Sequence, residues 1–206
     1  PCKRAARPTE TRSKTGQETP MIDQQIDIPT KDGKTTTFIT HPERGGPFPV
    51  IIFYMDAPAI REELRDMARR LAAVGYAVLL PNLYYRAGRD TTFGPQVLEK
   101  NSAEWGRMRA IRTKMTIPPV MDDFAAMLRF VDASGWADRG PVGCHGYCMS
   151  GPYVVTAAAN YPERFSCIAA IYGARMVTDE PASPPRPSAR GRSATATSPA
   201  ADTGSR

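Results

Sequence analysis

The 206-residue sequence is poor in the features that mark several large function classes. It has no run near the roughly 18 to 20 consecutive apolar residues a membrane-spanning helix requires. The polar stretch from Pro1 to Pro20 holds no apolar signal-peptide core. A cytoplasmic protein without a membrane partner is expected. Cysteine is limited to four residues, two of them at Cys144 and Cys148, which is no disulfide framework. Histidine is scarcer, with only His41 and His145. No metal site is expected from Cys144, His145 and Cys148, whose side chains would point to different faces without a second ligand pair. No internal repeat of about 20 to 50 residues is visible, which removes solenoids and propellers, and the lone glycines after strands do not spell a dinucleotide loop.

The formal net charge of +6 does not amount to a basic surface. Residues 1 to 20 carry 5 Lys/Arg against 2 Asp/Glu, residues 182 to 206 carry 4 against 1, and residues 21 to 181 carry 18 against 18. The excess lies entirely in the two ends, and the balanced middle argues against a nucleic-acid partner.

Both ends also lack what a core is made of. The first 20 residues contain no large aliphatic or aromatic residue and are expected to form a disordered tail, with Met21 as the expected natural start. After Val177 there is no Val, Leu, Ile, Met, Phe, Tyr or Trp, and residues 182 to 206 are almost all Pro, Ser, Ala, Arg, Thr and Gly. A second disordered tail is expected there.

Between the ends, short β-rich runs alternate with helical stretches, which predicts an α/β domain over 21 to 181. Gln25 to Ile28 and Thr35 to Thr40 flank the turn Lys31-Asp32-Gly33 as a hairpin. Pro49 to Tyr54, Tyr76 to Leu80, Pro141 to Cys144 and Cys167 to Tyr172 read as buried strands. Helices are expected at Ile60 to Val74, closed by Gly75, at Val120 to Val131, at Gly151 to Ala159 and around Val97 to Ile111 within a long connection from Tyr84 to Pro119.

The strongest local signal is Gly143-Cys144-His145-Gly146-Tyr147-Cys148-Met149-Ser150-Gly151, lying between an expected strand and an expected helix. Gly-x-nucleophile-x-Gly at such a junction is a nucleophile elbow, in which a strained turn lifts the nucleophile above the sheet and small neighbours permit close approach. The helix that follows favours a thiolate and an oxyanion at its N-terminus. Here Cys148 stands in the nucleophile position and Ser150 where the second glycine is expected. The bland alternative for Cys148 is a buried core cysteine. Cys144 is expected to be buried in its strand, and Cys167 to be a core residue.

Gly146-Tyr147-Cys148-Met149 with Gly151, the segment Pro81 to Arg86 (PNLYYR) and Gly75-Tyr76-Ala77 before it resemble the dienelactone hydrolase family of α/β-hydrolases, in order and spacing from about Met21 to Pro181. The resemblance implies an α/β-hydrolase-type three-layer sandwich with a mostly parallel sheet, here lacking the last strands. It implies that Cys148 attacks a lactone or small ester carbonyl to give an acyl-enzyme. The backbone N–H groups of Met149 and Ala57 would form the oxyanion hole. Asp56 falls where the family places a Glu that interacts with the resting thiol; a charge at a helix N-terminus is the alternative. Arg86 matches an arginine that binds the substrate carboxylate, with a solvated loop arginine as the alternative. Tyr84, Tyr85 and Trp105 are candidates for the pocket wall, with Tyr85 assigned beside Arg86 as substrate-binding. No cofactor and no metal are implied, and the partner is a small, carboxylated lactone or ester.

A cysteine elbow needs a base, and the base needs an orienting acid. In α/β-hydrolases both follow the nucleophile in the chain; here both histidines precede Cys148. Asp179 and Asp202 are the only late aspartates, and neither merits a catalytic assignment. The expectation is an impaired hydrolase, with a frameshift or gene-model error near residues 182 to 186. The alternative is a non-catalytic truncated hydrolase fold that binds a carboxylated small molecule or a protein partner.

Overall fold

A computed structural model describes residues 20–176. The expectations for the two tails, for Asp179 and Asp202 and for a frameshift lie outside the described residues. Six strands form one mixed sheet in the order β1-β2-β4-β3-β5-β6. They are β1 (Met21–Thr30), β2 (Gly33–Pro42), β3 (Val50–Tyr54), β4 (Ala77–Pro81), β5 (Val142–Tyr147) and β6 (Phe165–Ile171). The β1/β2 and β2/β4 pairs are antiparallel, and β3 pairs parallel with both β4 and β5, as β5 does with β6.

The parallel strands read as apolar runs because helices cover both faces of the sheet. Register partners share a face. Phe38, Leu80, Phe53 and His145 therefore form one row across β2, β4, β3 and β5. That face carries α1 (Glu62–Ala73), whose Arg65 and Arg69 lie over the Phe38 ring. Tyr54 points to the other face and meets Phe124 of α3 (Ile117–Ala133) and Tyr153 of α4 (Gly151–Asn160). The three-layer α/β architecture expected from the resemblance is present.

The connection from Tyr84 to Pro119 differs in detail from its expected single helix. Asn101 sits at φ 74°, which interrupts helical geometry, so a 3₁₀ turn at Pro95–Leu98 is separated from α2 (Ala103–Thr113). Ser102 caps α2 by accepting a hydrogen bond from the Trp105 N–H at 3.1 Å. Pro118 and Pro119 sit in the first turn of α3, where their missing N–H groups cost nothing.

Cys167 is exposed and not a core residue. It lies on β6, which pairs only with β5 among the described residues, so the centre of that strand stays open to solvent where a central strand would be covered. Among the described residues no helix is long and apolar enough to cross a membrane, and no group of three His, Cys, Asp or Glu side chains converges as metal ligands would.

Candidate active site

The end of β5 turns sharply into α4 at Cys148. This residue takes φ 52°, a left-handed conformation that a branched or bulky residue resists and that any L-residue adopts only with help from its surroundings. The help comes from close packing. A Cβ on Gly146 would lie 2.9 Å from both Ser150 Cβ and Val154 Cγ2, and one on Gly151 would lie 2.6 Å from Gly173 Cα. Both positions demand glycine. Ser150 is fully buried, and its hydroxyl donates to the Met55 carbonyl. A hydroxyl in place of the second glycine thus ties the elbow to the end of β3. On the far side, the Ala174 N–H donates to the Cys148 carbonyl at 2.8 Å.

The Cys148 thiol is half-buried and has no hydrogen-bond partner among the described residues. Met149 follows it in a 3₁₀ turn at Cys148–Ser150. Ala57 lies in the turn after β3, and its N–H makes no hydrogen bond among the described residues. Tyr84 links these two segments: its hydroxyl reaches the Ala57 carbonyl at 2.9 Å and Met149 Sδ at 3.3 Å. Burial pushes the Tyr84 hydroxyl far above the usual tyrosine pKa, opposed by the Arg112 guanidinium. It therefore stays a neutral donor. Cys148, Met149 and Ala57 are gathered at one place.

Asp56 directly precedes Ala57 in the turn after β3, and its charge acts on the Tyr84 hydroxyl. Its carboxylate takes a bidentate pair from Arg61, at 2.6 and 2.9 Å, at the start of α1. Arg86 and Tyr85 are both drawn to Asp123, a 1 % exposed residue on the inner side of α3. Arg86 reaches the two Asp123 oxygens at 2.8 and 3.0 Å and Asp32 at 2.9 Å, while the Tyr85 hydroxyl donates to Asp123 at 2.8 Å. Burial raises the Asp123 pKa, and Arg86 and Tyr85 oppose the shift. Arg86, expected to bind the substrate carboxylate, joins the β1–β2 hairpin to α3. No sequence signal separated Asp123 from its neighbours, because it sits within the helical run read as amphipathic.

Neither histidine serves the thiol. His145 stacks on Phe53, its register partner, with ring centroids 4.2 Å apart, and its buried Nε2 has no partner. Burial lowers its pKa to about 4. His41 is buried against Trp136 and Phe48 and bonds the Pro42 carbonyl at 2.8 Å through Nδ1. Phe48 precedes β3, whereas the elbow follows β5, so His41 lies at the opposite end of the parallel strands.

The dienelactone hydrolase family model matches residues 35–198. The chain belongs to the dienelactone hydrolase family. The match runs beyond Pro181, where the resemblance was expected to stop. A Methylorubrum extorquens protein described as "Putative carboxymethylenebutenolidase" is 31% identical over 168 residues, covering 81% of this chain and 54% of that protein. A Pseudomonas putida carboxymethylenebutenolidase is 26% identical over 145 residues, 70% of this chain and 59% of that protein. Among solved structures, a Klebsiella pneumoniae protein described as "Putative Dienelactone Hydrolase" superposes with a TM-score of 0.63 at 23% identity, covering 81% of this chain and 65% of that one. The chain therefore spans about half the length of the first of these curated relatives. Its fold is that of the dienelactone hydrolases.

Proposed function

We propose that this dienelactone hydrolase family chain is an acyl acceptor for small lactones or esters, with Cys148 as nucleophile. The observation that carries this reading is the Cys148 backbone at φ 52° between β5 and α4, since strain of this kind persists where it aims a reactive group. The Cys148 sulfur attacks the carbonyl carbon, the bond from that carbon to the alcohol oxygen breaks, and a thioester forms. The departing alkoxide takes up the proton that the thiol gave to solvent. The N–H groups of Met149 and Ala57 receive the negative oxygen of the tetrahedral intermediate, and Tyr84 holds their segments together. No cofactor is needed for acyl transfer from a thiol.

Hydrolysis of the thioester needs an activated water, and neither His41 nor His145 reaches Cys148. The reading is therefore of fast acylation followed by slow release. The same placement of the histidines favours a second reading, a non-catalytic fold that binds a carboxylated small molecule. Treatment with 4-nitrophenyl acetate separates the two. The expected result is about one equivalent of 4-nitrophenolate and an acetyl group on Cys148, read by peptide mass spectrometry, and its absence in Cys148→Ala. The exposed Cys167 is the internal control. Acetylation of Cys167 ahead of Cys148 would overturn the nucleophile assignment and leave the binding reading.

A further inference from the structure

We infer that Asn82 is a positioning residue for acyl transfer: its side-chain oxygen fixes Tyr84, and Tyr84 holds the two segments whose N–H groups receive the oxyanion; this rests on the reading of Cys148 as the acyl acceptor. Asn82 directly follows β4 and is 6 % exposed. Its Oδ1 accepts from the Tyr84 N–H at 2.9 Å, and its Nδ2 donates to the Arg89 carbonyl at 2.9 Å. One partner is a donor and the other an acceptor, so an amide satisfies both. Alanine would leave the buried Tyr84 N–H without its acceptor, and an ionised aspartate would have no hydrogen for the Arg89 carbonyl.

The backbone of Asn82 is fixed as firmly. Its N–H donates to the Thr36 carbonyl at 3.0 Å, and its carbonyl accepts from the Thr35 hydroxyl at 3.0 Å. Both threonines are buried on β2. Asn82 is thus registered on the sheet, and its side chain passes that register to the residue two positions on, as an Asx turn does. Tyr84, at φ −93° and ψ 9°, belongs to neither a helix nor a strand, so Asn82 supplies the acceptor that a regular element would have given its N–H.

Tyr84 turns this anchoring into geometry at the elbow. Its hydroxyl reaches the Ala57 carbonyl at 2.9 Å and Met149 Sδ at 3.3 Å, and its ring stands edge-on to Phe93 with centroids 6.0 Å apart. A phenol hydroxyl sits at the far end of a long lever, so a small rotation of the Tyr84 backbone carries it out of reach of both partners. Ala57 follows β3 and Met149 follows β5, whereas Asn82 stands at the end of β4 with its backbone bonded to β2. The path from Asn82 through Tyr84 therefore joins the antiparallel side of the sheet to the oxyanion donors. A misplacement of about 1 Å in such a preorganised site costs up to about a hundredfold in rate.

The test measures 4-nitrophenolate release from 4-nitrophenyl acetate in the first turnover, over a range of ester concentrations, so that the acylation rate constant and the apparent dissociation constant are read separately. Asn82→Ala is expected to lower the rate constant about tenfold, as Tyr84→Phe does, with the dissociation constant unchanged. In a Tyr84→Phe background the same substitution is expected to cost less than about twofold, because the hydroxyl it positions is gone. Asn82→Asp keeps the acceptor for the Tyr84 N–H and is expected to recover most of the rate while losing thermal stability with the Arg89 contact, a separation that a purely structural role would not give. If Asn82→Ala fails to fold by circular dichroism, Asn82→Ser, a weaker acceptor, carries the same comparison. Amide NMR gives a readout that needs no acylation: the Ala57 and Met149 signals are expected to shift in Asn82→Ala as they do in Tyr84→Phe. An unchanged rate constant, an equal fractional loss with and without the Tyr84 hydroxyl, or unmoved Ala57 and Met149 signals would overturn the inference. Shifted signals without any Cys148 acetylation in the unaltered protein would overturn the nucleophile reading alone and leave the link from Asn82 to Tyr84 in place.

Discussion

Lowering the pH should weaken this fold chiefly through His145. Its ring packs against Phe53 at 4.2 Å and edge-on to Tyr147 at 5.6 Å. Burial is the sole cause that lowers its pKa, from 6.5 to about 4. A folded-state pKa below the unfolded one means that the unfolded chain binds the proton more readily. Stability is then full above pH 6.5 and falls as the pH drops toward 4, below which no more is lost. A gap of two to three units corresponds to about 3 kcal/mol in full, and about 2 kcal/mol of it is lost between neutral pH and about pH 4.5. Urea unfolding at these two pH values reads the loss from the midpoints. His145→Leu should remove about 2 kcal/mol of the acid sensitivity while retaining the part due to Glu62 and Glu104, whose pKa values are lowered by hydrogen bonds from Arg69 and Arg107. Equal acid sensitivity in both proteins, or a His145 NMR titration centred near its unfolded value, would refute the reasoning.

Three further outcomes follow from the geometry. Gly146→Ala places a methyl group 2.9 Å from Ser150 and Val154; a loss of about 1 to 3 kcal/mol is expected in thermal unfolding, and a neutral substitution would mean that the elbow is loosely packed. Asp123→Asn strips the half-buried Arg86 of its main counter-charge, with an expected cost of about 3 kcal/mol read by urea unfolding. Tyr84→Phe removes the bond to the Ala57 carbonyl. It is expected to slow Cys148 acetylation about tenfold by releasing one side of the oxyanion site, while costing about 1 kcal/mol of stability.

Most of the framework was legible in the chain because local patterns and the core agree. The run from Val50 to Tyr54 had to be a central strand, since five consecutive apolar residues can be satisfied only between two helical layers. The elbow was legible for a related reason: Gly146 stands two residues before Cys148, Ser150 takes the second glycine's place with Gly151 just after it, and the Cβ positions of both glycines are occupied by neighbours. Where the pattern was weaker, as between Val97 and Ile111, one expected helix proved to be a turn and a helix separated at Asn101. Charged side chains were the least legible. The resemblance singled out Arg86, but nothing along the chain marked Asp123 as the carboxylate it would reach.

The sequence by itself determined the alternation of strands and helices, the position of the elbow and the absence of a histidine after Cys148, because each depends on residue type and spacing along the chain. The tertiary structure alone decided which charges are already neutralised. Asp123 meets Arg86 only after α3 docks on the sheet and the segment after β4 is brought against it. Pairing between charges depends on distance through space, and no local pattern encodes which carboxylate a given guanidinium will reach.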